Sequence, residues 1–147
     1  MTASIFDDAS MVSTIVRVRD VSASVAWYRD KLGLEPIHVG ADGPEHPIAV
    51  YAIAGAVVSL WQLPANQERV REENDRNSYV VVVMDGDLEP LRRVLIDRGV
   101  HVGEIRRSVN NEFVWFHDLD GNRFELSRPL PGRAESALVA RELREER

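Results

Sequence analysis

Hydrophobic and polar positions fall into two rhythms along this chain, and the rhythms recur in the same order twice. Val12–Val18 is rich in β-branched residues and reads as a strand. Asp20 then stands at an N-cap position, where a carboxylate accepts the free amides of a first helical turn. Val21, Val25, Tyr28 and Leu32 recur at near-helical spacing, Trp27 widens the stripe, and Gly33 supplies the stop. The turn-rich HVGADGPEHP from His38 to Pro47 predicts a mobile hairpin or lid. Ile48–Ile53 and Ala56–Leu63 predict two strands about a turn at Gly55. In the second half, Tyr79–Met84 has no polar interruption and predicts a strand buried on both faces. Leu88, Leu91 and Leu95 form a second helix stripe closed by Gly99. His101–Arg106, Glu112–His117 and Arg123–Arg128 predict three more strands, the last two joined by an Asp120-Gly121 turn.

The recurrence is visible in the residues themselves. STIVRVRD from Ser13 to Asp20 returns as SYVVVVMD from Ser78 to Asp85, an offset of 65 residues between the aspartates and 66 between Gly33 and Gly99. A period this long predicts two copies of one supersecondary unit rather than a solenoid. The copies span 12–63 and 78–129, joined by a polar linker over 64–77. Residues 1–11 read as a loose arm, and 132–147 as a charged amphipathic helical tail outside the repeat, able to cover a surface or make a protein contact. The 147 residues suit one compact domain made of two halves. Paired β-α-β units predict a concave sheet, and a concave sheet makes a pocket.

Composition narrows the function. A hydrophobic content of 44% and a charged content of 29% are those of an ordinary globular protein. A net charge of −6 argues against a general nucleic-acid surface, and the small local basic patch at Arg106-Arg107 reads as a solvated face. The absence of cysteine rules out disulfides, thiolate metal sites and cysteine nucleophiles. No apolar run reaches the length of a signal-peptide core or a membrane span, so no membrane partner and a cytoplasmic location are expected. Asp118 and Asp120 in DLDGN read as turn formers, and Asp20 and Asp85 as matched helix caps, rather than catalytic carboxylate pairs.

Two segments carry a family resemblance. WYRDKLGL from Trp27 to Leu34 and FHDLDGNRFEL from Phe116 to Leu126, at this separation inside a repeat, resemble the vicinal oxygen chelate superfamily of glyoxalase I, bleomycin-resistance proteins and extradiol dioxygenases. The resemblance covers roughly residues 12–129. It implies an α+β fold in which two βαβββ modules form a curved mixed sheet, an incomplete barrel around a cleft. The family's metal-ligand positions, carried onto this chain, fall on Ser13, Ser59, Ser78 and Glu125. Glu125 matches the family glutamate, whereas a serine hydroxyl is a weak ligand for a divalent first-row metal. Sliding the alignment does not help, because Val12–Val18 and Tyr79–Met84 contain no His, Glu, Gln or Asp. Gln62 has the opposite parity to Ser59 and should face away. No metal cofactor is therefore expected.

Strand parity then proposes a lining. Ser13, Ile15 and Arg17 share one face, with Thr14, Val16 and Val18 under the helices. Val57, Ser59 and Trp61 join the inner face, as do Ser78, Val80, Val82 and Met84. Arg123, Glu125 and Ser127, with Trp115 and His117, complete it. An apolar, aromatic cup of this kind suits a planar organic ligand stacked on Trp61 or Trp115, with Arg17 meeting an anionic group or pairing with Glu125. The bleomycin-resistance branch implies a metal-independent binder that sequesters a drug or metabolite as a homodimer. The alternative is a lyase, isomerase or extradiol-type dioxygenase of the same fold, using a divalent metal at Glu125 or acid–base catalysis by His117 and Glu125. A third reading is an accessory domain that makes a protein contact through the C-terminal tail.

Overall fold

The computed structural model describes residues 4–41, 46–67 and 79–131. Ser78, the linker from residue 68 onward and the expected tail at 132–147 lie outside them. The chain divides into two compact units, Met1–Arg71 and Glu72–Arg147. Among the described residues no helix is long and apolar enough to cross a membrane.

The first unit contains strand β1 (Ser13–Val18), helix α1 (Val21–Trp27) continued by a π-helical turn (Tyr28–Leu32), and strands β2 (His38–Ala41), β3 (Pro47–Ile53) and β4 (Ala56–Gln62). Its sheet runs β1-β4-β3-β2, with β1 parallel to β4 and the other pairs antiparallel. Asp20 does cap α1, its Oδ1 accepting from the Ala23 amide at 3.0 Å. Gly33 ends the helical run at φ 68°, a left-handed conformation that favours glycine. Val21, Ser24 and Tyr28 are the buried residues of this helical run, and Tyr28 packs against Tyr51 with ring centroids 5.4 Å apart and planes tilted by 36°. Register puts Val16, Leu60 and Ala49 in one row and Val58 and Tyr51 in the next, and all five are buried. The expected lid begins as a paired strand, because His38–Ala41 forms a regular ladder with β3.

The second unit contains β5 (Val80–Val83), α2 (Leu88–Asp97), β6 (Arg106–Arg107), β7 (Asn111–His117) and β8 (Arg123–Pro129). The order β5-β8-β7-β6 repeats that of the first sheet, with β5 parallel to β8. Leu88, Leu95, Val100, Val114, Phe116 and Phe124 are its buried apolar core, and the rings of Phe116 and Phe124 stack at 5.3 Å. The strand expected at His101–Arg106 is broken. Val102 pairs with Phe116 and Arg106 with Phe113, which leaves one extra residue on the earlier strand, as a β-bulge requires.

Two expectations for this unit are corrected. β5 is not buried on both sides: Val81 and Val83 are 46% and 52% exposed, because they lie on the sheet face turned away from the core. Asp85 is not the helix cap. The residue before α2 is Asp87, whose carboxylate makes no capping bond and instead receives Arg128.

Candidate functional site

The side chains of interest lie on the sheet faces turned away from the helices, and pairing register decides which they are. In the first unit Ser13 pairs with Val57, Ile15 with Ser59 and Arg17 with Trp61, so these six share a face as parity predicted. The Ser13 and Ser59 hydroxyls are 3.3 Å apart, and the Arg17 guanidinium lies 5.5 Å from the Trp61 ring centroid. Gln62 points the other way, its Oε1 accepting from the Val21 amide at the start of α1.

In the second unit register overturns part of the expected lining. Val80 pairs with Phe124 and Val82 with Leu126, so both belong to the core side, and Met84 follows by the same parity. The residues that share the face of Glu125 and Ser127 are Val81 and Val83. The cause is the one-residue difference between the two offsets in the repeat. A separation of 66 residues links Gly33 to Gly99 and Ser59 to Glu125, and it carries Ser13 to Tyr79 rather than Ser78. Geometry agrees, since the Arg123 guanidinium on β8 sits 4.7 Å from the Tyr79 ring centroid. By the same offset the second unit's counterpart of Ser13 is Tyr79, which would make the family donor set Ser13, Ser59, Tyr79 and Glu125.

This donor set does not fit a divalent metal. Two hydroxyls are neutral, and a phenol must lose its proton to bind well. Glu125 is 9% exposed, and Arg123 Nη2 is 3.4 Å from its Oε2. That guanidinium neutralises the single carboxylate and sets a positive charge beside it. Among the described residues there is no group of three or more His, Cys, Asp or Glu arranged to hold an ion.

What the second unit does bring together is an aromatic platform. Trp115 pairs with Glu125 and His117 with Arg123, so both look to the same face as expected. His101 joins them from the bulged strand, its ring 5.2 Å from Trp115 and 5.1 Å from His117. Trp115 and His117 are themselves 5.0 Å apart. Gly103 makes room for this cluster, since a Cβ there would lie 2.3 Å from Trp115 Cε2. Its carbonyl accepts from Arg92 Nε of α2 at 2.8 Å, and its amide donates to the Trp115 carbonyl at 2.9 Å. Sequence reasoning passed over His101, Gly103 and Tyr79. Pairing His101 with His117 across the strands would have found the first two, and the 66-residue offset the third.

Asp118 behaves as a turn former. Its Oδ1 accepts from the amides of Asp120 and Asn122, and its Oδ2 from the Asn122 side chain. On the core side Glu112 is held between Arg107 and Arg128, and the hydrogen bond from Arg107 leads in drawing its pKa below the usual carboxylate value.

Solved structures with this architecture include a glyoxylase/bleomycin resistance protein/dioxygenase domain from Frankia sp. EAN1pec, at 20% identity and TM-score 0.65, covering 85% of this chain and 93% of that one. A mutant of the fosfomycin resistance protein FosX from Listeria monocytogenes, complexed with Mn(II) and 1S,2S-dihydroxypropylphosphonic acid, matches at 19% identity and TM-score 0.62, covering 88% and 98%. TnmS3, an antibiotic binding protein from Streptomyces sp. CB03234, matches at 21% identity and TM-score 0.62, covering 83% and 97%. No curated protein matches the sequence. The family model described as Glyoxalase/Bleomycin resistance protein/Dioxygenase superfamily matches residues 10–126, and the chain belongs to that superfamily.

Proposed function

We propose that this protein binds a small, largely apolar or aromatic organic molecule without transforming it, in the manner of a sequestering protein. The observation that carries the reading is a contrast in chemistry. The family metal positions hold weak donors, while Trp115, His101 and His117 form a preorganised aromatic surface beside Tyr79, Arg123 and Glu125. Ligand sites of this kind pair an apolar wall with a few polar groups that fix orientation. Trp115 offers the stacking surface, and Arg123 with Glu125 offers hydrogen bonds of both signs. In the first unit Trp61, Arg17, Ser13 and Ser59 make a second surface of the same character. The likeness to an antibiotic binding protein supports the class of ligand.

Tryptophan fluorescence titrated with a panel of aromatic antibiotics and metabolites tests this. One chemical class should quench saturably, and Trp115→Ala should weaken it by about tenfold, the worth of an aromatic stack. Binding that is indifferent to both Trp115→Ala and Trp61→Ala would remove the reading. The homodimer expected with this function is checked by sedimentation. A second reading is a metal-dependent lyase, isomerase or dioxygenase, favoured by the buried Glu125 at the family position. It requires a tightly held ion that Glu125→Gln abolishes.

A further inference from the structure

His101 and His117 meet with their Nδ1 atoms only 3.1 Å apart, although their ring centroids are 5.1 Å apart and the planes differ by 25°. The Nδ1 edges of the two imidazoles therefore converge. The approach is held by the backbone, since the His117 amide donates to the His101 carbonyl at 3.0 Å. Trp115 backs both rings, and Gly103 lets it lie there. An Nδ1-to-Nδ1 contact needs one ring to donate a proton and the other a lone pair. A metal ion accepting both lone pairs satisfies the same geometry. With metal–nitrogen bonds of about 2.0–2.1 Å, nitrogens 3.1 Å apart subtend an angle of about 98° at the ion. That lies between the right angle of a tetragonal site and the tetrahedral value.

We propose that His101 and His117 form a two-histidine site for a late first-row divalent ion, with Cu²⁺ favoured over Ni²⁺ and Zn²⁺. The site is distinct from the family metal positions on β1, β4, β5 and β8. Imidazole selects these ions over Mg²⁺ and Ca²⁺, which take oxygen ligands. Arg123, the cross-strand partner of His117, turns its guanidinium over Tyr79 on the β5 side of the sheet. His101 is exposed and His117 half-buried, so water or a bound organic ligand can fill the remaining coordination positions. The site does not depend on the organic-ligand reading, and either stands if the other fails.

The test is a titration of the full chain, purified without an affinity tag, with CuCl₂ at pH 7.5, followed by calorimetry and by tryptophan fluorescence. One ion per chain should bind at about micromolar concentrations, with quenching dominated by Trp115, which is 5.0 to 5.2 Å from the two imidazoles. His101→Ala and His117→Ala should each weaken binding by about tenfold or more, and His38→Ala should leave it unchanged. Trp115→Phe should keep the heat of binding and lose most of the quenching. Equal binding in both histidine variants, or no saturable binding, overturns the proposal. So does loss of the ion in Glu125→Gln with retention in both histidine variants, which would move the metal to the family position.

Discussion

Replacing Gly103 by alanine isolates one contact of the aromatic platform. The added Cβ would stand 2.3 Å from Trp115 Cε2, 2.5 Å from Nε1 and 2.7 Å from Cζ2, far inside van der Waals contact. Gly103 is buried and its φ lies outside the left-handed region, so alanine is admissible to the backbone and the indole is the nearest obstruction. Two effects of opposite sign compete. Restricting the unfolded chain stabilises by about 0.4–1 kcal/mol. Overpacking against a ring pinned by His101 and His117 costs about 1–3 kcal/mol, and Trp115 is half-buried, so some of it relaxes by displacing the indole. The net expectation is a loss of about 1–2 kcal/mol in the wild-type background. In a Trp115→Ala background the clash disappears and Gly103→Ala should become neutral or slightly stabilising. Urea unfolding of the four proteins of this double-mutant cycle reads the difference, and a coupling of at least about 1 kcal/mol is expected. An equal cost of Gly103→Ala in both backgrounds would refute the account, since the penalty would then have nothing to do with the indole.

Two further outcomes follow from the core side of the structure. Glu112 has its pKa lowered chiefly by the Arg107 hydrogen bond and then by Arg128, so its folded value lies below its unfolded one. It therefore stabilises the protein above the unfolded carboxylate range and loses that contribution as pH falls through the folded value. Glu112→Gln should cost about 1–2 kcal/mol at pH 7, discounted because Arg107 is 70% exposed, and the gap to wild type should narrow as acid protonates the Glu112 carboxylate. A gap in urea stability that persists unchanged in acid would count against the clamp. At the start of α1, Asp20→Ala should destabilise by about 1 kcal/mol, and unchanged urea stability would remove Asp20 as a cap.

Much of this architecture is legible in the residues. The strand at Val12–Val18, the stripe from Val21 to Leu32 stopped by Gly33, and the Asp120-Gly121 turn all follow from local rules, and each appears where the pattern puts it. The family resemblance rested on the helix end and the final hairpin, and the family model spans both. What went wrong was off by one residue. SYVVVVMD looks like STIVRVRD shifted by 65, so Val80, Val82 and Met84 were assigned to the wrong face, while Ser78 lies outside the described residues. An uninterrupted run of valines carries no alternation, so the sequence offers no internal check on its parity.

The sequence by itself determined the order of helices and most strands, the twofold repeat, the helix stops and the poverty of donors at the first module's metal positions. Each of these is a property of neighbouring residues or of residue type. Tertiary structure alone decided which side of β5 faces Glu125, that a bulge brings His101 level with His117, and that Gly103 admits Trp115 between strand and histidines. Those depend on register between strands far apart in the chain. Register is set by how the whole core packs, because a slip of one residue exchanges every inward side chain for an outward one.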